Sequence, residues 1–224
     1  MNRNIIRTEK LHGRKKSRSS GKKNQQIFEE IFPKYNLNIN SLNLNQCNDI
    51  ELEVGFGYGE HLIWQALNHP NKLFLGAEPF RSGVINIISE IEKQKVNNIK
   101  IYDDNVIDII DNLPEESLSA IFILFPDPWP KKKHHKRRFK NQNNLKKINS
   151  VLKKGGKLVL ATDHKDYLHS ILVNISKNNQ FEWLCEKSED FYLKPYEFPE
   201  TKYERKAIKD GRRPVYLTFE KINL

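Results

Sequence analysis

The stretch Glu53-Val54-Gly55-Phe56-Gly57-Tyr58-Gly59 decides how this chain is read. Just before it, Ile50–Val54 has the composition of a strand, and just after it Glu60–Asn68 has the spacing of a helix. Glycines between a strand and a helix let the backbone turn tightly and let a ligand come close to it. The spacing is G-x-G-x-G rather than the G-x-G-x-x-G that cradles a pyrophosphate, and structural turns also produce such patterns. The acid at Glu53 disfavours a phosphate and suits a cationic or amino-acid-like ligand. Glu78 closes the next predicted strand, where a carboxylate can hold both hydroxyls of a ribose. Asp104 follows the third strand, where a polar group can meet an adenine amino group; Asp103 or Asn105 could serve instead.

Outward from the glycine loop, strands and helices alternate. The pattern predicts strands at Lys72–Ala77, Ile99–Tyr102 and Ser119–Phe125. Helices are predicted near Arg81–Lys95, Val106–Asn112 and Asn141–Lys153. Gly155-Gly156 is expected to end that last helix, with a fifth strand at Lys157–Thr162. A helix near Asp166–Asn178, a strand near Phe181–Glu186, a long polar loop and a last strand at Pro214–Lys221 follow. Alternating β and α implies a mostly parallel sheet covered by helices on both faces, and the apolar run of the fourth strand fits a buried parallel strand. Before all this, Gln25–Pro33 reads as a short helix and residues 36–49 as an Asn-rich connection. Residues 1–26 read as a basic flexible arm, and 27–224 as one domain.

The composition narrows the function classes. The 224 residues carry 38 Lys and Arg against 28 Asp and Glu, a net charge of +10. Two blocks, residues 1–26 at +8 and 130–147 at +9, carry more than the whole excess, so the rest of the chain is net acidic, at −7. Paired basic blocks on an acidic body favour a polyanionic partner such as a nucleic acid, with Lys132, Lys133, Arg137 and Arg138 expected on the surface against phosphates. No apolar run reaches the roughly 20 residues that cross a bilayer. Two cysteines, Cys47 and Cys185, are too few for a disulfide framework and read as packing residues. The expected location is the cytoplasm.

Three further motifs are placed to carry chemistry. Phe125-Pro126-Asp127-Pro128-Trp129-Pro130-Lys131 follows the fourth strand, where ligands of open α/β sheets bind. Prolines on both sides of Asp127 stiffen its backbone and fix its carboxylate, and Trp129 can pack or stack on a base. Asp163 ends the fifth strand in ATDH, and Thr201-Lys202-Tyr203-Glu204-Arg205 lies in the polar loop; neither is telling by itself. His134 and His135 are adjacent within a basic run and do not face one metal naturally, so no metal is assigned.

Together, the glycine loop, the acids after strands two and three, and the Leu152–Leu158 approach to strand five resemble the Rossmann-like class I S-adenosylmethionine-dependent methyltransferase fold. That fold has a seven-stranded, mostly parallel sheet with an antiparallel last strand. With IRTEKLHGR, LEVGFGYGEHL, GAEPFRSG, FPDPWPKKKHHKRRF, LATDH and TKYERKA in order, nearly the whole chain resembles the bacterial tRNA (guanine-N7-)-methyltransferases. The resemblance implies methyl transfer from S-adenosylmethionine to N7 of the guanine at position 46, in the tRNA variable loop. It implies cofactor contacts at Glu53, Gly55, Gly57, Gly59, Glu78, Asp104 and Asp127, with Asp127 also the active-site acid. Substrate contacts are implied at Lys131, Asp163, Thr201, Lys202, Tyr203 and Glu204. It further implies tRNA as partner, no obligatory protein partner, and a monomer or homodimer. Two alternatives are a nicotinamide-dependent oxidoreductase, disfavoured by the glycine spacing, and a non-catalytic tRNA-binding module, disfavoured by the intact acids.

Overall fold

A computed structural model describes residues 21–39, 49–129, 131, 133, 138, 142–195 and 198–222. Seven strands form one sheet in the order β3-β2-β1-β4-β5-β7-β6. They are β1 (Ile50–Val54), β2 (Leu73–Ala77), β3 (Ile99–Tyr102), β4 (Leu118–Leu124), β5 (Leu152–Thr162), β6 (Phe181–Trp183) and β7 (Val215–Lys221). The pairs from β3 to β5 are parallel, and β7 runs antiparallel to both β5 and β6. The mostly parallel sheet with an antiparallel last strand is therefore the expected one. The order reverses between β1 and β4, and the carboxyl ends of strands at such a reversal are where open α/β sheets bind ligands.

Helices cover both faces. Lys22–Gln26 (α1) runs through a π-helical turn at Ile27–Ile31 into Phe32–Tyr35 (α2), so helical structure extends beyond the expected Gln25–Pro33 at both ends. Pro33 fits because it falls in the first turn of α2, where a missing N–H costs nothing. This segment lies with α3 (Glu60–Asn68) and α4 (Arg81–Gln94) over one hydrophobic cluster. In α4, Val84, Ile87, Ile88 and Ile91 are fully buried at helical spacing, and Arg81 lies 4.0 Å over the ring of Phe28. On the other face, α5 (Val106–Ile110), α6 (Gln142–Val151) and α7 (Lys165–Ile175) pack on Ile50, Leu52, Ile121 and Leu158.

Two expectations need correction. Gly155-Gly156 does not end α6. The helix stops at Val151 and β5 starts at once, because fully buried Leu152 already pairs with Leu118. The ladder then resumes at Lys157 opposite Ala120, and the glycines form an excursion within the strand, with Gly155 at φ +71°. The polar loop after β6 also has structure: a 3₁₀ turn at Ser188–Tyr192 and the helix α8 (Lys202–Lys209). Only Glu204 and Ala207 of α8 are buried, so no apolar stripe marks it. β6 itself is shorter than expected and ends at Trp183.

Candidate active site

At the carboxyl ends of β1, β2 and β4 the sheet opens into a cleft of about 550 Å³, within the range that holds small ligands. Gly55, Glu78 and Asp104 line it from one side, and Asp127, Trp129 and Tyr203 from the other. Glu78 is 8% exposed, and both its oxygens accept backbone hydrogen bonds: from the Gly57 N–H at 2.9 Å and from the Phe80 N–H at 2.8 Å. Those bonds fix the carboxylate plane and leave each oxygen a further lone pair. Burial pushes the Glu78 carboxyl up to about 6. Asp127 and Glu53 add to the shift and the two N–H groups oppose it.

The glycine loop is built for close approach. A Cβ on Gly83, at the start of α4, would stand 2.0 Å from the Gly57 carbonyl oxygen, so that helix can meet the loop only through a glycine. Gly57, at φ +58°, has the ring of Tyr203 2.5 Å from where its Cβ would be. Gly55 has open space at its Cβ position and can take a ligand against its backbone. An open glycine surface, a braced carboxylate at a strand end and further carboxylates suit a ligand that offers hydroxyls, an amino-bearing base and positive charge. The residues present therefore fit S-adenosylmethionine.

After β4 the chain bends sharply. The Phe125 N–H is held by the Ala161 carbonyl at 2.9 Å. Phe125 and Trp129 adopt φ values of +49° and +44°, uncommon for bulky residues, and they bracket Pro126-Asp127-Pro128. Asp127 itself is exposed at the cleft mouth, yet desolvation by the adjoining wall raises its carboxyl above the usual range.

From the other side, α8 reaches across the glycine loop. Thr201 caps it, its Oγ1 accepting the Glu204 N–H at 3.2 Å. Glu60, the first residue of α3, accepts the Lys202 N–H at 2.7 Å and the Arg205 guanidinium at 2.8 Å. The Lys202 ammonium lies 3.9 Å from the centre of the Tyr58 ring. Burial, with Glu78 and Tyr58 contributing, pushes the Tyr203 hydroxyl up to about 12, so it stays protonated at neutral pH.

Comparison with known proteins gives this arrangement a family. A family model described as "Putative methyltransferase" matches residues 48–217. The tRNA (guanine-N(7)-)-methyltransferase of Rhizobium johnstonii is 37% identical, over 96% of this chain and 96% of its own length. The chain belongs to the tRNA (guanine-N(7)-)-methyltransferase family. The enzyme of that name from Zymomonas mobilis is 34% identical, over 95% of this chain and 94% of its own. Among solved structures, an rRNA methylase from Streptococcus thermophilus shares the fold, with a TM-score of 0.54 and 13% identity, over 79% of this chain and 89% of that one.

Against that family's expected site, the structure sorts the residues unevenly. Gly55, Glu78, Asp104, Asp127, Lys202 and Tyr203 share one cleft. Asn105 lines it too, and its side chain caps α5 by accepting the Ile107 N–H at 3.2 Å. Gly57 and Gly59 shape the loop beneath the wall. Glu53, 4% exposed, points into the protein, its Oε2 2.9 Å from His61 Nδ1. Glu204 is turned inward and accepts from the Tyr216 hydroxyl at 2.7 Å and from Lys194 at 3.2 Å. Thr201 serves as the helix cap, and Asp163 accepts from Arg212 at 2.6 Å away from the cleft wall. Lys131 is exposed.

The basic run holds one correction. Arg138 was expected on the surface; its side chain is fully buried and lines the cleft. His134, His135, Lys132 and Arg137 lie outside the described residues, while Lys133 is exposed. No group of three metal-ligating side chains occurs among the described residues. Glu60 and Arg138 carried no local signal. Glu60 acts across 142 residues of sequence, and Arg138 is hidden in a charge run. The Thr201-x-x-Glu204 spacing, a helix N-terminus signature, was the signal that could have found α8 within the expected polar loop.

Proposed function

We propose that this chain transfers a methyl group from S-adenosylmethionine to N7 of the guanine at position 46 in the variable loop of tRNA. The observation that carries this reading is the convergence of Glu78, Asp104 and Asp127 on one cleft at the sheet's switch point. Family membership supports catalysis over a binding-only role, and the glycine spacing speaks against a nicotinamide cofactor. The location is the cytoplasm and no protein partner is required. The chain acts as a monomer or homodimer, with residues 1–26 as an RNA-facing arm and 27–224 as the methyltransferase domain.

When bound, S-adenosylmethionine supplies an electrophilic sulfonium methyl. Glu78 holds the ribose hydroxyls with the lone pairs its backbone bonds leave unused, Asp104 receives the adenine amino group, and Gly55 lets the ligand lie against the main chain. Glu53 adds negative charge beneath the loop. Guanine N7 has a lone pair and no proton, so no general base is needed and the protein's task is alignment. Asp127 accepts hydrogen bonds from guanine N1–H and the exocyclic amine, which orients the base and raises electron density at N7. Adenine offers no matching pair of donors and is excluded. Trp129 supplies a stacking face. Lys131, Lys202 and Tyr203 meet the RNA at the mouth; Asp163, Thr201 and Glu204 serve it indirectly, by holding Arg212 and the start of α8.

Two transcripts test the position. Labelled methyl should enter an unmodified tRNA with guanine at position 46 and should not enter the same tRNA with adenine there. Equal incorporation into both would overturn the assignment of that nucleotide.

A further inference from the structure

Arg138, beside the cleft, ties several of its parts together. Its Nε donates to the Pro128 carbonyl at 2.7 Å, and one terminal nitrogen donates to Asp166 Oδ2 at 2.6 Å and to the Trp129 carbonyl at 3.5 Å. The other terminal nitrogen reaches Ser170 Oγ at 3.4 Å, and the guanidinium carbon lies 5.2 Å from the centre of the Tyr167 ring. The side chain is 0% exposed, whereas Asp166 at the other end of the pair is 56% exposed. A guanidinium with no access to water is costly unless its donors are satisfied, and here they are shared between the loop that carries Asp127 and Asp166 and Ser170 of α7.

The loop needs such a partner. Two bulky residues with positive φ bracket Asp127, each costing about 1–3 kcal/mol, and such conformations persist only where neighbours over-determine them. At the Phe125 end, the Ala161 carbonyl and the ring of Tyr216, 6.1 Å away, do this. At the Trp129 end, Arg138 does it, tying two successive carbonyls to the first turn of α7. A lysine could not, because one ammonium lacks the planar fork that reaches both carbonyls and the carboxylate together.

We propose that Arg138 is a positioning residue: it clamps the Pro128 and Trp129 carbonyls to Asp166 and so holds Asp127 in the pose that receives guanine. Its neighbour Lys133 faces solvent, so one basic run serves both the RNA and the loop. The proposal rests on the role given above to Asp127, and its test separates the two.

Hydrogen–deuterium exchange across residues 124–131 reads the clamp without reference to activity. Arg138→Lys and Asp166→Asn should each speed exchange in this segment, by about tenfold or more for Arg138→Lys. Unchanged exchange in both variants overturns the clamp, whatever the enzyme methylates. Asp166→Asn alters a half-exposed side chain and keeps the experiment decisive if Arg138→Lys fails to fold. In turnover, Arg138→Lys should lower kcat by about a hundredfold with the tRNA Kd and its salt slope unchanged. Free guanidinium should restore part of the kcat of Arg138→Ala. A loss confined to tRNA affinity, with the salt slope shallower by about one, would make Arg138 a phosphate contact and overturn the proposal.

Discussion

Glu78 is held by the fold in both position and charge. Burial raises its carboxyl to about 6, so it is ionised at neutral pH but close to protonation. The ribose hydroxyls of the ligand donate hydrogen bonds to the ionised form, and protonation uses one of the acceptor sites. S-adenosylmethionine affinity should therefore be flat above about pH 7 and weaken as pH falls through 6, by up to tenfold per unit. Calorimetric titration from pH 5 to 8 checks this, and Glu78→Gln should bind weakly with no such profile. Asp127 is raised in the same direction by burial. The acidic limb of kcat/KM should lie above the ordinary carboxylate range, with activity lost as pH falls through it. Asp127→Ala should lower kcat on the order of a hundredfold while S-adenosylmethionine binding survives. Asp127→Asn keeps the shape, removes the charge and replaces an acceptor with a donor that faces the guanine donors. It should be nearly as impaired.

Among the elements, α8 shows best what a sequence conceals. Its eight residues bury only Glu204 and Ala207, so hydrophobic periodicity could not reveal it. It is a helix because Thr201 caps it and because Glu60, at the positive end of both α3 and α8, accepts from its first N–H and from Arg205. Glu60→Gln should free the start of α8, with faster amide exchange over 201–206 and a local cost of about 1 kcal/mol or less. KM for tRNA should rise severalfold, read in steady-state kinetics, because Lys202 and Tyr203 lose their hold on the cleft. The β strands had the opposite character. Ile50–Val54 and Ile99–Tyr102 were legible to the residue, since their aliphatic residues alternate with polar ones and turn residues bound them on each side. At Gly155-Gly156 the same logic misled: glycines usually punctuate, but here burial of Leu152 set the start of the strand first.

At the scale of the whole molecule, the alternation of elements was enough to read the sheet and its helical layers, while the antiparallel last strand followed from the family resemblance. Most of the cleft was legible because strand ends at a switch point collect the ligand groups. Glu78, Asp104 and Asp127 lie far apart in sequence but follow β2, β3 and β4, within the run β3-β2-β1-β4 of the sheet, and all line the cleft. What stayed hidden were contacts between distant segments: Glu53 turned to His61, Glu204 turned to Tyr216, and Arg138 turned inward from its charged run. Under the proposed function, the excess positive charge of the two basic blocks meets RNA phosphates. Replacing Lys132, Lys133 and Arg137 together by alanine should weaken tRNA binding and make its salt dependence shallower, as filter binding at several salt concentrations would measure. S-adenosylmethionine affinity should not change.

The most direct test of the central claim is the identity of the methylated nucleoside. The protein is incubated with labelled S-adenosylmethionine and unmodified tRNA, and the digested RNA is resolved into nucleosides. The account predicts label in 7-methylguanosine, abolished in Asp127→Ala. Label in any other nucleoside, or none while S-adenosylmethionine still binds, would contradict it.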